Sequence, residues 1–336
     1  MQTFDKVREE RIMKKKMRVL SLFLLIAMLF VGCGNKTTEN DVPENEAVGN
    51  ESIENETVVA DTFEGKYIVT AEYVKEHMND ENILIIDCRG TKDAKKGTPE
   101  GAIAVTWKEL CTCDKSFGKE GDEGWGKIPE ASDLEERLAK LGITKDKELI
   151  MVGETTGGWG DDARVLWELV AAGYENVKIV DGGLTALKDA DIPMQKGASE
   201  AEAGEVDIES IDMTHVMETE ELAANYDEYV ILDVRTEKEY NGATKFGEAK
   251  GGHLPGAIYF PYLDLFEKDD TLKTNDEIIA MLEDAGVSKD DKIVAYCTGG
   301  IRSAYVQIVL EMCGYENTWN YDQSYWRWCV VNDVEK

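Results

Sequence analysis

The sequence predicts an α/β protein built from two similar domains, each a mainly parallel sheet with helices on both faces. The main observation is an internal repeat: "ILIIDCRG" at 83–90 matches "YVILDVRT" at 229–236, and "LEERLAKLGITKDKELIMVG" at 134–153 matches "EIIAMLEDAGVSKDDKIVAYC" at 277–297. Further matched segments follow in the same order in both halves. This order indicates one duplication of a whole domain rather than a solenoid of short repeats.

Strand and helix signals alternate within each half. The runs "ILIID", "ELIMVG" and "KIVAY" are nearly continuous apolar stretches of strand length, which is typical of strands covered on both faces. The segments "ASDLEERLAKLG" and "SAYVQIVLEMCG" carry apolar residues at helical spacing and end at glycine. Alternating strands and helices indicate a parallel sheet, in which ligands bind beyond the carboxyl ends of the strands.

The N-terminus has the pattern of a targeting segment over residues 1–33. Basic residues at 14–18 precede an apolar run from Val19 to Val31, which is shorter than the roughly 20 residues needed to span a bilayer. The run ends in "LFVGCGN", which resembles a bacterial lipoprotein signal with Cys33 as the lipid-accepting residue. We therefore expect an extracytoplasmic protein anchored to the cell membrane by lipid. A plain secretory signal is the alternative.

The remaining chain divides by composition and by the repeat. Residues 34–63 are polar, acidic and poor in aromatic residues, and we predict a flexible stalk there. The repeat then gives a first domain at 64–194 and a second at 213–336. Small and acidic residues at 195–212 are typical of a linker between them.

The charge of the chain excludes one class of partner. The formal net charge is −31, from Asp+Glu 68 against Lys+Arg 37. This field repels the phosphate backbone, so we expect no nucleic-acid partner. It also slows anionic substrates unless the site supplies local positive potential.

Cysteine and histidine spacing predicts no cofactor. Six cysteines follow Cys33, and most lie in apolar runs at uneven spacing rather than in a disulfide framework. Cys88 and Cys313 are expected to be small buried residues. Cys111 and Cys113 lie in a loop without a second pair or a nearby histidine. The three histidines lack ligand spacing: His77, His215 and His253. We therefore predict neither a metal nor an organic cofactor.

The stretch "AYCTGGIRSA" at 295–304 carries the clearest chemical signal. Cys297 ends an apolar strand, two glycines follow, and Arg302 opens a helix. Successive N–H groups in a glycine-rich turn at a helix N-terminus form a cradle for negative charge. Such a cradle favours a thiolate and lowers the pKa of a cysteine from its free value of about 8.5. The stretch alone allows a reactive thiolate, a phosphate cradle or an idle helix cap.

The motifs taken together resemble a known family. "D-x-R" in both halves, "GGHLPGAI", the cysteine-glycine loop and the late "YDQSYWRW" are similar to those of tandem-domain rhodaneses, the thiosulfate and 3-mercaptopyruvate sulfurtransferases. The resemblance covers about residues 66–334 and implies two rhodanese-like domains with Cys297 as the nucleophile. It also implies a substrate-binding loop made by Thr298, Gly299, Gly300, Ile301, Arg302 and Ser303. One departure is Gln323, where the family usually has glycine.

The resemblance implies a double displacement through a persulfide on Cys297. A small sulfur-containing anion is the donor and a thiol or cyanide is the acceptor. We expect thiosulfate as donor, with 3-mercaptopyruvate as the alternative. Thr298 and Gly299 match neither donor pattern of the family cleanly. A cysteine-dependent phosphatase is disfavoured, since four rather than five residues separate Cys297 from Arg302. A non-catalytic surface module that carries persulfide or binds a partner remains a rival.

The two halves differ at the position of the nucleophile. Gly153, in the acidic loop "GETTGGWGDDA", stands opposite Cys297, so the first domain is predicted to be non-catalytic and to wall one side of the cleft. Asp233 and Arg235 recur in the first half within "IDCRG", which favours a structural ion pair over catalysis. For His253 we expect a hydrogen bond that maintains the fold near the site.

Overall fold

The computed structural model describes residues 62–336. The predicted signal segment 1–33, the predicted lipid-accepting Cys33 and nearly all of the predicted stalk 34–63 lie outside the described residues. Phe63, at the end of that predicted stalk, is buried in the hydrophobic core. The domain boundary at 63 stays a prediction, and the aromatic side chain at that position packs among apolar residues of the core.

The first repeat half forms an α/β domain around a parallel sheet. Its strands are β1 (Ile68–Val69), β2 (Ile83–Asp87), β3 (Thr98–Pro99), β4 (Ile103–Ala104), β5 (Glu148–Val152), β6 (Val177–Val180) and β7 (Met194–Gln195). Its helices are α1 (Ala71–His77), α2 (Thr91–Ala94), α3 (Trp107–Leu110), α4 (Ala131–Lys140), α5 (Asp161–Ala171) and α6 (Gly183–Asp189). The sheet has the order β1-β6-β5-β2-β4, and β3 pairs separately with β7 in antiparallel fashion.

The second half repeats the architecture. Its strands are β8 (Val216–Met217), β9 (Val230–Asp233), β10 (Ile258–Tyr259), β11 (Ile293–Tyr296) and β12 (Thr318–Tyr321). Its helices are α7 (Thr219–Ala224), α8 (Glu237–Tyr240), α9 (Asn275–Asp284), α10 (Ile301–Met312) and α11 (Ser324–Val331). Its sheet, β8-β12-β11-β9-β10, has the same order as the first when equivalent strands are compared, and its neighbours are also parallel. The predicted duplication and fold class are confirmed.

The strands form where the apolar runs predict them because both faces of each sheet are covered. Leu149, Ile150, Met151 and Val152 of β5 are all fully buried, and β11 is buried along its whole length. A strand in the middle of a parallel sheet has no solvent face, so the alternation typical of half-exposed strands disappears. The last residues of β5 and β11 occupy the same place in the two sheets.

One of the buried hydrophobic clusters is continuous across the two domains, and each domain also has a cluster of its own. Helix α5 of the first domain packs against α10 of the second, and apolar residues of both domains belong to the same buried cluster. The segment at 195–212 begins inside β7 and then runs along the first domain, where Ile208 is buried and the Gly204 N–H donates to the Ala139 carbonyl. This connection is therefore packed against the domain that precedes it.

Cys111 and Cys113 are joined in a disulfide, a pairing that the uneven cysteine spacing does not predict. Cys88, Cys297, Cys313 and Cys329 carry free, buried thiols. None of the helices in the described part of the chain is long and apolar enough to cross a membrane.

Candidate active site

Cys297 lies at the carboxyl end of β11, where the chain turns into α10. Gly300 precedes the first residue of α10 and has φ 82°, a left-handed conformation that suits glycine. The turn therefore delivers the thiol to the N-terminal end of a twelve-residue helix, where N–H groups without helical partners favour a negative charge. This is the location that the sequence predicts.

The thiol is enclosed and biased towards ionisation. Cys297 is 1% exposed, and the Ser303 hydroxyl donates to its sulfur at 3.6 Å. Burial by itself would raise the pKa of the thiol. The Arg302 charge, the N–H and hydroxyl of Ser303 and the N–H of Gly299 outweigh burial and hold the pKa below its ordinary value. The loop thus stabilises the thiolate in the way its sequence indicates.

Arg302 faces the thiol and is oriented by a carboxylate that the sequence analysis missed. Its Nη1 and Nη2 donate to Oε2 and Oε1 of Glu239 at 3.0 and 2.8 Å, a bidentate pair. Thr298 Oγ1 donates to the same carboxylate at 2.8 Å. Burial opposes ionisation of Glu239, but the hydrogen bonds and charge of Arg302 lower the pKa of Glu239 to about 2. Both members of this pair are charged at neutral pH.

Both loop glycines are required by close packing. A Cβ on Gly299 would overlap the Trp326 ring, whose Nε1 donates to the Phe246 carbonyl at 3.0 Å. A Cβ on Gly300 would overlap the Asp322 carbonyl and lie 2.7 Å from Arg164 Nη1. Any side chain at either position would displace the loop that carries the thiol.

The start of α11 supports the loop from behind. Ser324 has φ 52°, is fully buried, and accepts the Cys297 N–H at 3.1 Å through its hydroxyl. The hydroxyl in turn donates to the Tyr321 carbonyl at 2.6 Å, and the Tyr325 N–H donates to the Cys297 carbonyl at 3.1 Å. A left-handed conformation at a non-glycine residue is uncommon and is held here by these bonds.

Asp233 and Arg235 form a fully buried ion pair beside the loop. Arg235 Nη2 lies 2.7 Å from Asp233 Oδ2, and the guanidinium stacks over the Tyr325 ring at 4.0 Å. The Tyr296 hydroxyl also donates to Asp233. His253 stacks on Tyr240 with ring centroids 3.8 Å apart, and its Nδ1 lies 3.0 Å from the Tyr240 carbonyl. The contacts are an ion pair for Asp233 and Arg235 and a ring stack for His253, and the roles of these residues at the site stay predictions.

The first domain contacts the Cys297 loop directly. Arg164 of α5 donates to the Gly300 carbonyl at 3.1 Å, and Trp159 places its ring centroid 5.0 Å from the Arg302 guanidinium. Gln323, the departure from the family pattern, donates through Nε2 to the carbonyls of Asp122, Glu123 and Trp125 at 3.3, 2.9 and 3.0 Å. Its side chain thus tethers the second domain to a loop of the first.

The equivalent position in the first domain is occupied by a carboxyl group. A Cβ on Gly153 would lie 2.8 Å from Asp162 Cγ, so the Asp162 side chain fills the space where a nucleophile would project. The Ala163 N–H donates to Asp162 Oδ1 at 2.9 Å. Burial and the neighbouring Asp161 raise the pKa of Asp162 to about 7. The first domain thus has neither a thiol nor an open cradle at this point.

Among residues 62–336, no three His, Cys, Asp or Glu side chains come together in a way that could hold a metal ion. The chemistry of the site rests on one thiol, one buried arginine and the N–H groups of the loop. A polarised thiolate at a helix N-terminus is suited to nucleophilic attack and to forming a covalent intermediate.

The fold and this loop define the class of protein. Residues 70–190 and 218–330 each match the family of rhodanese-like domains, and the chain belongs to that family. It is 28% identical over 281 residues to a 3-mercaptopyruvate sulfurtransferase of Escherichia coli K12, which covers 80% of this chain and 96% of the relative.

Two further curated relatives are similar at comparable distance. A thiosulfate sulfurtransferase of Azotobacter vinelandii is 28% identical over 204 residues, and the match covers 60% of this chain and 74% of the relative. A sulfur carrier protein of Thermus thermophilus is 25% identical over 286 residues, and the match covers 78% of this chain and 93% of the relative. The crystal structure of SseA from Escherichia coli, described with the rhodanese fold of 3-mercaptopyruvate sulfotransferases, gives a TM-score of 0.66 at 27% identity and covers 76% and 98%.

Several residues of the site could not be found by motif. Glu239, Arg164 and Trp159 contact the loop from distant parts of the sequence. In the sequence, Glu239 looks like an ordinary member of a helix capping box with Thr236. The one available signal was Gln323, whose departure from the family pattern marks a contact between the domains.

Proposed function

We propose that this protein is a sulfurtransferase that moves a sulfane sulfur from thiosulfate to a thiol or to cyanide through a persulfide on Cys297. The observation that carries the proposal is the Cys297 thiol, held at the N-terminal end of α10 beside Arg302 with its pKa lowered. The family membership supports sulfur transfer, since the relatives reported above include thiosulfate and 3-mercaptopyruvate sulfurtransferases.

The reaction proceeds in two displacements. The Cys297 thiolate attacks the outer sulfur of thiosulfate, the sulfur–sulfur bond of the donor breaks, and sulfite leaves with the bonding electrons. Cys297 then carries a persulfide. An acceptor thiolate attacks the terminal sulfur, the Cys297 thiolate leaves, and the acceptor becomes a persulfide, or thiocyanate when cyanide is the acceptor. No net oxidation takes place and no general base is required.

The loop residues divide the work between them. The N–H groups from Thr298 to Ser303 line the cradle that stabilises thiolate and persulfide, and Arg302 supplies the cation. Ser303 donates to the sulfur at 3.6 Å. Asp233, Arg235 and His253 maintain the walls of the site, and the first domain contributes contacts but no reacting group.

Mass spectrometry tests the reaction directly. The purified protein, treated with thiosulfate, is expected to gain one sulfur on the peptide that contains Cys297, and Cys297→Ala is expected to gain none. Thiocyanate formation from thiosulfate and cyanide separates an enzyme from a binding module, because a module shows no cysteine-dependent turnover. Cys297-dependent hydrolysis of p-nitrophenyl phosphate without sulfur loading would replace the proposal with a phosphatase.

The choice of donor is tested by competition. Catalytic efficiency is measured for thiosulfate and for 3-mercaptopyruvate with the same acceptor. A higher value for thiosulfate supports the proposal. A strong preference for 3-mercaptopyruvate would assign the chain the donor named for its Escherichia coli relative instead.

We also propose that the protein is extracytoplasmic and anchored to the cell membrane through lipid on Cys33. The basic residues, the apolar run and "LFVGCGN" support this location. Metabolic labelling with a fatty acid is expected to mark the wild-type chain and not Cys33→Ala. A wild-type chain that carries no fatty-acid label and is released from the cells in soluble form would contradict the anchor.

A further inference from the structure

The first domain carries a buried arginine that touches the catalytic loop of the second. Arg164 is fully buried on α5, and its Nε and Nη2 donate to Glu168 Oε1 at 3.1 and 2.8 Å. Its Nη1 lies 2.6 Å from Asp322 Oδ1 and donates to the Gly300 carbonyl at 3.1 Å. Two carboxyl groups and the Trp167 ring, 4.8 Å from the guanidinium, therefore fix Arg164, and its remaining hydrogen bond is with the loop.

The contact with Gly300 determines which way one peptide of the loop faces. A trans peptide is planar, so its carbonyl and the following N–H point in opposite directions. The Gly300 carbonyl points towards Arg164 and towards Asn320 Nδ2, which donates to it at 3.2 Å. The N–H of Ile301 therefore points the other way, at the N-terminal end of α10, where it has no carbonyl partner within the helix.

Glycine makes this peptide easy to reverse. Gly300 has φ 82° and no side chain, so its backbone enters other conformations more readily than that of any other residue. A reversal would exchange the Ile301 N–H for the Gly300 carbonyl oxygen on the side of the cradle. A partial negative charge would then face the thiolate and the transferred sulfur.

We propose that Arg164 of the non-catalytic domain is a positioning residue for sulfur transfer: it holds the Gly300–Ile301 peptide with its N–H directed into the Cys297 cradle. The proposal rests on the sulfurtransferase function proposed above. Arg164 acts through the peptide and does not touch the substrate. The first domain, which has no nucleophile, thereby completes the anion-binding loop of the second.

The competing explanation is that Arg164 only holds the domains together. Another contact between the domains provides a control for this. Asp270 of the second domain accepts hydrogen bonds from the hydroxyls of Thr185, at 2.9 Å, and Thr156 of the first. Asp270 is half-buried and has φ 71°, a conformation that asparagine tolerates, so Asp270→Asn weakens domain docking without touching the catalytic loop.

The experiment compares three variants of the full chain. Arg164→Lys keeps the charge but loses the fork that spans Asp322, Glu168 and the Gly300 carbonyl. Asn320→Ala removes the second donor to that carbonyl and leaves Arg164 and its ion pairs in place. Asp270→Asn is the docking control. The rate of alkylation of Cys297 by iodoacetamide is followed against pH by peptide mass spectrometry, together with the rate of sulfur loading from thiosulfate.

Arg164→Lys is expected to slow sulfur loading by about tenfold or more, since one misdirected donor at an anion site typically costs about 10²–10³ in rate and Asn320 partly compensates. Its alkylation profile is expected to move to higher pH, because a thiolate that loses an N–H is less stable. Asn320→Ala should show the same two changes at smaller size. Asp270→Asn should lower the melting temperature and leave both readouts at their wild-type values.

Wild-type loading rates and an unchanged alkylation profile in Arg164→Lys would overturn the proposal, as would equal effects in Asp270→Asn. If Arg164→Lys does not fold, Asn320→Ala provides the test. An alkylation profile of Cys297 that is unchanged in Asn320→Ala would then overturn the proposal. Failure of wild-type Cys297 to load sulfur at all would instead refute the proposed function. The alkylation profile needs no sulfur donor, so the two failures are distinguishable.

Discussion

Gln323 should make a measurable contribution to the docking of the two domains. Its Nε2 is the donor to the carbonyls of Glu123 and Trp125 at 2.9 and 3.0 Å, and to that of Asp122 at 3.3 Å. The residue is 5% exposed and has φ −71°, which any residue adopts, so the fold does not demand glycine here. Gln323→Gly would restore the usual family residue and remove these bonds.

The size of the effect follows from the number of hydrogen bonds. The Gln323 amide has two N–H hydrogens, and its Oε1 accepts from the Thr219 hydroxyl at 3.1 Å. Each buried hydrogen bond contributes about 0.5–1.5 kcal/mol net, so loss of the three in Gln323→Gly or Gln323→Ala should cost about 1.5–4.5 kcal/mol. At about 2–4 °C per kcal/mol, the value for chains of roughly 150–250 residues, the melting temperature should fall by about 3–18 °C. Gln323→Glu should cost more above neutral pH, since a carboxylate would face three carbonyl oxygens.

The pH dependence of Gln323→Glu has a defined sign. The carbonyls raise the pKa of the new carboxyl in the folded state, so the folded protein binds a proton that the unfolded chain releases. Its destabilisation is therefore present at high pH and is relieved as the pH falls through the folded-state pKa. Differential scanning calorimetry between pH 5 and 8 measures both effects.

A matched glutamine provides the control. Gln195 Nε2 donates to the Gly197 carbonyl and to the Ser199 hydroxyl, both at 3.0 Å and both within the same stretch of chain. Gln195→Ala should lower the melting temperature less than Gln323→Ala, because water replaces its local bonds. Equal shifts for the two alanine variants, or a Gln323→Glu variant without pH dependence, would refute the reasoning.

Three further predictions concern the site. Because the Arg302 charge lowers the pKa of Cys297, Arg302→Met should move the alkylation profile of Cys297 to higher pH, and an unmoved profile in the folded variant would contradict this. Gly299→Ala should lower the free energy of unfolding by about 1–3 kcal/mol and slow sulfur loading, because its Cβ overlaps the Trp326 ring. The smaller side chain of Trp326→Leu should relieve the clash in the double variant, and a double variant no more stable than Gly299→Ala would contradict this explanation. The stability of Asp162→Asn relative to the wild type should increase by about 2–4 kcal/mol as the pH rises from about 4 to 7, because a pKa raised to about 7 makes the ionised carboxyl unfavourable in the folded wild type. Urea titrations at both pH values measure the two free energies of unfolding, and an equal difference at the two pH values would contradict the prediction.

The fold was predictable because its signals are local or repeated. Apolar runs locate β2, β5 and β11 within a residue, and the repeat fixes the equivalence of the two sheets. The burial of Phe63 was not predictable, because one aromatic residue at the end of a polar segment gives no periodic pattern.

The candidate site was predictable only along one stretch of chain. The order Cys297, two glycines and Arg302 is enough to indicate a thiolate at a helix N-terminus. Glu239 orients Arg302 from 63 positions away, and Arg164 holds Gly300 from 136 positions away. Such contacts depend on how α5, α8 and α10 pack, and no spacing rule in a single sequence reports that.

The Asp162 carboxyl group, at the equivalent point of the first domain, would hinder a thiol introduced there. A single Gly153→Cys substitution would bring a thiol back to the end of β5, yet its Cβ would lie 2.8 Å from Asp162 Cγ. The new sulfur would also face a group that competes for the same N–H donors and carries a like charge above neutral pH. A second thiolate at the end of β5 therefore needs at least two coordinated changes, a cysteine at position 153 and a smaller, uncharged residue at position 162.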